Sequence, residues 1–268
     1  MRRQLLPAVL SMIVFTVVLG IGYGLLVTGI AQIPGLKDKA DGSFVERNDR
    51  KIGSSLIGQA FVDKDGNAIP KYFQSRPSAA AGAEGNTGAG YDPTLSSGSN
   101  LGPSNPLLVG FIPGFNSVDL KGNPSKTNPF ATREDPYCVP TDLKGEPVSS
   151  PVKGQKYKKT RGGEYVCDTK TVPQRVLAYR ELNGLSPKVK VPVDAVTASA
   201  SGLDPDISVA NANIQARRVA RDRALPVARV RKLIDAHISG RDLGIFGEKT
   251  VNVLDLNLAL DRTSGTQN

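Results

Sequence analysis

The stretch LLPAVLSMIVFTVVLGIGYGLLVTGIAQI, residues 5–33, decides the fold class because it is far more apolar than anything that follows it. No charged residue lies between Pro7 and Gln32. As a helix, these residues extend about 38 Å at about 1.5 Å per residue, and a bilayer core needs about 20 residues. The stretch therefore predicts one transmembrane helix within residues 1–34, followed by a polar domain over residues 35–268.

The charges around this helix predict its orientation. Arg2 and Arg3 precede it, whereas residues 37–41 follow it with mixed sign. Because positive flanks stay in the cytoplasm, we expect a single-pass protein of the cell membrane with a cytoplasmic N-terminus and an extracytoplasmic C-terminal domain. A cleaved signal peptide, ending near Gly29-x-Ala31, is the alternative, but its apolar core spans only about 7–15 residues.

Glycines are concentrated in the second half of the helix. Gly20 and Gly24 form a G-x-x-x-G pair, which allows another helix to approach closely. The alternative is that glycine is simply common in membrane helices. Since one helix cannot enclose a pore, a role in transport requires other membrane subunits as partners.

The chain is basic, with a net charge of +9. For an exported domain this charge favours anionic lipid headgroups or an acidic protein surface rather than nucleic acid. Part of it lies in the run Lys153, Lys156, Lys158, Lys159 and Arg161. Such a run is either solvated surface or a headgroup contact.

The sequence contains two cysteines, Cys138 and Cys167. On the outer side of a membrane they can pair, and a bridge closing about 29 residues contributes about 3–4 kcal/mol in the loop-entropy model. Two cysteines and the single His237 do not give the ligand spacing of a metal site. We therefore expect a structural disulfide and no intrinsic cofactor.

Local patterns predict an α+β domain, of α/β type, with a long insertion. Residues 34–50 read as an exposed linker, Gly53–Phe61 as a strand and Asp63–Asn67 as a turn. Residues 107–182 lack apolar periodicity and are rich in Pro, Gly and Lys, so they are predicted to be an inserted loop region.

Regular structure is predicted again after residue 190. Val191, Val193 and Val196 indicate a strand, and Asp206 or Ser208 can cap a helix that runs to about Asp222. A second helix is expected to begin near Pro226 and to stop near Gly240. Residues 251–261 predict a short strand followed by a closing helix, for which Asn252 is a good capping residue.

The chain lacks the motifs of the common catalytic sites. It contains no D-K-T-G-T phosphorylation motif, no Walker loop and no G-x-S-x-G elbow, so no catalytic residue is predicted. Ser199, Ser201 and Gly202 form a turn whose backbone N–H groups could hold a phosphate before a helix start. A tight turn without a ligand is the simpler interpretation.

Several strings, read together and in order, closely resemble the KdpC family, the accessory subunits of the Kdp potassium-transporting P-type ATPase. The strings are GSSLIGQAF (53–61), YFQSRPSAA (72–80), SSGSNLGPSNP (96–106), PVDAVTASASGLDP (192–205), IQARRVARDR (214–223) and VNVLDLNLALD (251–261). Residues 107–182 depart from the family pattern.

The resemblance implies a non-catalytic subunit of an ATP-driven potassium uptake pump. Its helix would pack beside the channel-like subunit, while a separate P-type ATPase subunit would hold ATP and Mg²⁺, with K⁺ as the transported ion. The family is also described as binding nucleotide and raising the pump's ATP affinity, which implies Ser199, Ser201, Gly202 and Gln215 as contacts. The predicted outer placement instead favours a structural role. A membrane-tethered binding protein or hydrolase acting alone is the alternative function.

Overall fold

Contacts divide the chain into two compact units, residues 1–56 and 57–268. Most of the predicted insertion 107–182 lies outside the described residues, and so does Lys153. The predicted boundary between residues 34 and 35 remains a prediction. The computed structural model describes residues 2–47, 49–80, 90–102, 105, 108, 130, 138–144, 148, 155–167, 171–241 and 243–264.

The first unit begins with a continuous apolar helix, made of α1 (Arg2–Phe15), a π-helical segment (Thr16–Gly22) and α2 (Tyr23–Ala31). Its most apolar window has a mean hydropathy of 2.4 and no buried residue. The Thr28 hydroxyl donates to the Gly24 carbonyl at 2.9 Å, so its hydrogen-bonding capacity is used within the helix. Within the described part of the chain, only this helix is long and apolar enough to cross a bilayer.

The first unit ends in a short helix and an antiparallel hairpin: α3 (Lys37–Ala40), β1 (Phe44–Arg47) and β2 (Arg50–Ser54). The prediction that residues 34–50 form a linker is therefore wrong. The Ser54 hydroxyl donates to the Gly42 carbonyl at 2.6 Å, and the Lys51 ammonium lies 4.1 Å from the centre of the Phe44 ring. Polar and cation–π contacts hold this hairpin. Its sequence therefore lacks the apolar periodicity from which a strand is predicted.

The described part of the second unit contains four α-helices and a three-stranded sheet. In chain order these are α4 (Val172–Asn183), β3 (Asp206–Ser208), α5 (Val209–Asp222), α6 (Val227–Ala236), β4 (Ile238–Ser239), β5 (Thr250–Asn252) and α7 (Val253–Ser264). The sheet order is β3-β5-β4 and both pairs are antiparallel, so Ile207 and Ile238 each lie opposite Val251.

The starts of two helices follow the predicted capping residues. Ser208 is the N-cap of α5 and its side chain accepts a hydrogen bond from the Asn211 N–H at 3.1 Å. Asn252 accepts one from the Asp255 N–H at 3.1 Å at the start of α7. The predicted helix to Asp222 and the strand followed by a closing helix are confirmed.

One hydrophobic core joins α5, α6, α7 and the sheet. Its apolar side chains come from helix positions three or four residues apart, which is the spacing of one helix face. The fully buried members include Phe73, Ile207, Ala212, Ala216, Val219, Val230, Ile234, Val251, Leu256 and Leu260. This core fixes the positions of the polar residues described in the next section.

A second, smaller core surrounds the cysteines. Cys138 and Cys167 form a disulfide, and their surroundings include an aromatic cluster. In this cluster the ring of Phe130 lies 4.9 Å from Tyr157 and 4.5 Å from Tyr165, centre to centre. Isolated antiparallel bridges, among them Asp142–Tyr157 and Lys159–Tyr165, complete this part of the fold.

Two predicted strands are absent. Strand β2 ends at Ser54, and beyond it the Gly58 N–H donates to the Leu203 carbonyl at 2.8 Å rather than to a neighbouring strand. Residues Val193–Ala195 form a 3₁₀ turn after Pro192. The second helix ends at Ala236 rather than near Gly240, because β4 follows it.

The turn at residues 63–67 is confirmed, since the Asp63 N–H donates to the Asn67 carbonyl at 2.8 Å and Gly66 has φ = +84°. The prediction of mixed helix and sheet with one apolar N-terminal helix is also confirmed. The antiparallel pairing of the sheet agrees with the α+β class. The extracytoplasmic placement and the long insertion remain predictions.

Candidate functional site

Four of the strings that carry the family resemblance meet at the turn formed by residues 199–204. The Ser201 carbonyl accepts the Ser97 N–H at 2.9 Å, and the Gly202 carbonyl accepts the Ser78 hydroxyl at 2.5 Å. Arg76 pairs with Asp204 at 2.8 Å. Hydrogen bonds and an ion pair to other segments of the chain therefore hold this turn in place.

Gly202 shows why this turn is rich in small residues. Its φ of +70° is a conformation that L residues rarely adopt, and a Cβ there would collide with the Ser97 carbonyl. Ser199 is buried, and its carbonyl accepts the Gly202 N–H at 3.3 Å. The Ser201 hydroxyl accepts the Leu203 N–H at 3.1 Å. Strand β3 separates this turn from the first residue of α5, so the turn does not open directly into a helix start.

Gln215 lies on α5 and is 1% exposed. Its Oε1 accepts the Gln74 N–H and an Arg218 N–H, both at 2.7 Å. Its Nε2 donates to the Gln74 carbonyl at 3.1 Å and to Asn211 Oδ1 at 2.9 Å. Both amide hydrogens and both lone pairs of the carbonyl oxygen are therefore used within the chain.

Arg218, one turn further along α5, is 1% exposed. Its guanidinium donates to Asn183 Oδ1 at 3.0 Å, to the Tyr72 carbonyl at 2.9 Å and to the Pro70 carbonyl. Burial lowers the pKa of Arg218 to about 10, so the side chain keeps its charge at neutral pH. This arginine holds the segment before Phe73 against α4 and α5.

Asn257 on α7 completes this polar network. Its side chain accepts the Phe73 N–H at 2.9 Å and donates to the Phe73 carbonyl at 3.0 Å. The segment around residues 70–74 therefore has its backbone groups bonded by side chains of two different helices. Such a network specifies one backbone arrangement because each unmade bond would cost about 1–3 kcal/mol.

A cavity of about 340 Å³ lies beside this network. Its wall includes Arg76, Arg175, Tyr179, Asn211 and Gln215. The Tyr179 hydroxyl donates to Asn211 Oδ1 at 2.8 Å, and burial, with Asp194 nearby, raises the pKa of the Tyr179 phenol. The cavity therefore presents two cationic side chains and a protonated phenol beside mostly apolar surface.

The structure separates the predicted nucleotide contacts into two groups. Gln215 lines the cavity, whereas Ser199, Ser201 and Gly202 do not. The described residues contain no cluster of three or more His, Cys, Asp or Glu side chains that could hold a metal. His237 lies at the end of α6 with its Nδ1 2.8 Å from the Leu233 carbonyl of the same helix.

The predicted helix-packing residues lie in the apolar helix. Gly20 is in the π-helical segment and Gly24 is at the start of α2. A Cβ added at Gly24 would meet no atom of its own chain within 4 Å. The fold of this chain therefore does not itself require glycine at position 24.

Sequence reasoning missed α4 and the residues it contributes to the cavity. This helix begins after Thr171, carries Pro173 in its first turn and ends at Asn183, just before Gly184, whose φ is +60°. Proline at a helix start and glycine after its end are recognisable signals. Pro173 and all of this helix except Asn183 lie within the segment predicted to be an inserted loop, which is why Tyr179 was not a candidate.

Comparison with protein families tests the resemblance that the quoted strings indicate. The family model KdpC, described as "K+-transporting ATPase, c chain", matches residues 5–144 and 164–262. The chain belongs to the KdpC family. The match omits residues 145–163, which carry all five residues of the basic run and lie inside the predicted insertion.

Relatives match this KdpC family chain over nearly its whole length. The potassium-transporting ATPase KdpC subunit of Mycobacterium bovis is 40% identical over 98% of this chain and 100% of its own. That of Koribacter versatilis is 35% identical, covering 98% of this chain and 96% of its own. That of Caulobacter vibrioides is 38% identical, with 97% and 94% covered.

Proposed function

We propose that this chain is a non-catalytic accessory subunit of an ATP-driven potassium uptake pump, and that it stabilises assembly of the pump's other subunits. Membership of the KdpC family supports an accessory role in a potassium pump. The more specific role in assembly is supported by the hydrogen bonds that buried polar side chains make within the chain.

The observation that carries this proposal is the saturation of the network around Gln215 and Arg218. Each of these buried side chains makes several hydrogen bonds within the chain, and each bond fixes another segment. A group that is fully bonded in this way is suited to hold a backbone in place and has little capacity left for a substrate. The arrangement is that of a rigid module.

The proposed partners follow from the two units. The apolar helix would cross the membrane and pack through Gly20 and Gly24 against the channel-like, potassium-translocating subunit. ATP and Mg²⁺ would bind to a P-type ATPase subunit, with K⁺ as the transported ion. The N-terminus would be cytoplasmic and the second unit extracytoplasmic, in contact with the bilayer and not with nucleic acid.

Nucleotide contact, with a raised ATP affinity of the pump, is the second candidate. One observation favours it, since Arg76 and Arg175 line the cavity that Gln215 also lines. Ser201 offers the mildest test because it is exposed. A raised KM for ATP in complexes with Ser201→Ala would support contact at the turn, and a raised KM with Arg175→Gln would support contact at the cavity. An unchanged KM in both would favour the structural role.

A tagged ATPase subunit, purified with and without this chain, tests the proposed function. We expect the channel-like subunit to be recovered with the tag only when this chain is present. Equal recovery without it would contradict the assembly role. Substrate turnover by the purified chain alone would instead favour the alternative of a solitary hydrolase, and ligand binding by it would favour a solitary binding protein.

An impermeant amine reagent applied to intact cells tests the placement. Lys156 and Lys158 are exposed in the structure, so we expect them to be labelled from outside. Labelling only after the membrane is opened would contradict the extracytoplasmic placement.

A further inference from the structure

The segment beside the disulfide carries a surplus of positive charge. Residues 142–164 contain six lysine or arginine residues against three aspartate or glutamate residues, a net charge of +3. Five of these cations lie in the described part of the chain and are exposed: Lys144, Lys156, Lys158, Lys159 and Arg161. A run of like charges is often only solvated surface, so the charge by itself does not identify a partner.

The basic hairpin that carries four of these cations, residues 156–166, has a defined backbone. The Thr160 N–H donates to the Glu164 carbonyl at 2.8 Å, and the Gly163 N–H donates to the Thr160 carbonyl at 3.0 Å. Gly163 has φ = +83°, which suits glycine at the tip of such a turn. The two tyrosines of the small aromatic core lie one on each side of this turn. The hairpin therefore presents its cations without having to order its backbone on binding.

One strongly exposed apolar side chain lies beside the hairpin. An antiparallel bridge pairs Asp142 with Tyr157, and this register places Leu143 opposite Lys156. Leu143 is 65% exposed, and the Asp142 carboxylate accepts the Lys144 N–H at 2.9 Å in the same turn. Because successive side chains of an extended segment point to opposite sides, Leu143 and Lys156 point away from the ring of Tyr157. The surface thus combines a leucine with lysines on the side opposite the aromatic core.

We propose that this basic face, made of Leu143, Lys144, Lys156 and Lys158, binds the headgroups of anionic phospholipids at the bilayer surface. The lysines contact the phosphates, and Leu143 enters the boundary between headgroups and acyl chains. An apolar side chain among cations is the pattern of a peripheral membrane contact, whose strength grows with buried apolar area and with the number of basic residues. This inference rests on the proposed function, because it needs the second unit to lie at a bilayer.

A lipid surface fits these observations better than a protein surface does. The chain runs from the apolar helix into the second unit, so a bilayer that holds the helix is always within reach and even weak contacts are populated. Lysine is a compact point charge that needs no fixed partner geometry, as suits mobile headgroups. Lys156 and Lys158 also lie outside the part that the family model matches, whereas a contact between pump subunits common to the family would lie inside it. Headgroup contact leaves the lysine ammonium groups in water, so the amine reagent described above still reaches them.

Fluorescence quenching in vesicles tests the basic face. The sequence contains no tryptophan, so Leu143→Trp places a single indole on this face. The full chain is reconstituted in phosphatidylcholine vesicles with or without about 30% phosphatidylglycerol, and a small share of the lipid carries a headgroup quencher. We expect quenching to be at least about twofold stronger with phosphatidylglycerol, and about 0.5 M salt should remove the difference.

Two double variants assign the effect to these lysines. In the Leu143→Trp background, Lys156→Gln/Lys158→Gln should abolish the extra quenching. Lys188→Gln/Lys190→Gln removes two exposed cations at the same spacing elsewhere in the second unit and should leave the quenching unchanged. The thermal unfolding midpoint of each variant in detergent should change little, because the replaced side chains are exposed. Val193→Trp, at another exposed apolar position, should be quenched equally in both kinds of vesicle.

Equal quenching of the indole at position 143 in both kinds of vesicle would overturn the lipid contact while leaving the proposed function intact. Equal losses in the two lysine double variants would also overturn it, because the effect would then be one of net charge. An emission shift with soluble polyphosphate but not with vesicles would overturn it in favour of an anionic polymer. Removal of the wild-type chain from the vesicles by alkaline carbonate would contradict the membrane anchoring in the proposed function itself.

Discussion

Helix α5 and the apolar helix differ in where their side chains find contacts. Seven of the fourteen residues of α5 are buried, among them Gln215 and Arg218, and their partners lie in this chain. The apolar window of the first helix has no buried residue. The second unit therefore carries the means of its own stability, whereas the first helix must obtain its contacts from a bilayer or from other proteins.

This difference separates two kinds of residue. Substitutions in the network around α5 should lower the free energy of unfolding of the isolated chain as well as of the chain in the pump. Substitutions on the apolar helix should leave the isolated chain unchanged and weaken only its association with partners. The predictions below test this division.

The largest effect is expected for Arg218→Met, which leaves Asn183 and two backbone carbonyls without their donor. We expect the free energy of unfolding of the second unit to fall by about 4 kcal/mol. Denaturant unfolding of the full chain in mild detergent, followed by circular dichroism, measures this. Arg217→Met, on the exposed side of the same helix, is the control and should change stability by less than about 0.5 kcal/mol. Equal stability of the two variants would refute the central role of this network.

A smaller and local effect is expected for Cys138→Ser/Cys167→Ser. Opening this bridge should destabilise its small aromatic core by about 3 kcal/mol. Trypsin cleavage near Lys158 should become faster while the helical signal of α5 to α7 persists. Parallel loss of the helical signal would show instead that the two cores unfold as one.

On the apolar helix, Gly24→Leu should weaken association with the pump by about 1–2 kcal/mol, or five- to thirtyfold. A side chain there meets no atom of this chain, so the free chain should unfold as wild type does. Gly29→Leu, which also meets no atom of its own chain, is the control and should be retained normally. Equal losses for both variants would argue against specific packing through position 24. Quantitative co-purification in detergent measures both.

The smallest effect is expected for Ser208→Ala. Its hydroxyl caps α5 and donates to Asp194 at 2.9 Å, so its loss should cost about 1 kcal/mol. Ser239→Ala, at an exposed site, should be neutral. A neutral Ser208→Ala in the same unfolding experiment would indicate that Asp194, which also accepts the Ser208 N–H at 2.8 Å, caps this helix unaided.

Elements with local signals could be predicted from the sequence. Ser208 and Asn252 cap their helices as expected, and Gly66 lies in the expected turn. The apolar helix follows from its uninterrupted composition alone. In each case the residues that decide the structure lie within a few positions of one another.

Features that depend on distant contacts could not be predicted in the same way. Gln215 could be identified from its family string, but its four hydrogen bonds involve Gln74, Asn211 and Arg218, which only the fold brings together. The expected strand at Val193 is instead a 3₁₀ turn, in which Asp194 accepts the Ser208 N–H at 2.8 Å at the start of α5. The valines suggest a strand, whereas the capping role of Asp194 between them depends on a contact with Ser208 that the local sequence does not indicate.

Potassium-stimulated ATP hydrolysis by the partner subunits, assayed in detergent with and without this chain, tests the central claim most directly. If the chain is an assembly subunit, omitting it should abolish the potassium-stimulated rate, and adding it back during assembly should restore that rate. Full potassium-stimulated hydrolysis in its absence would contradict the account.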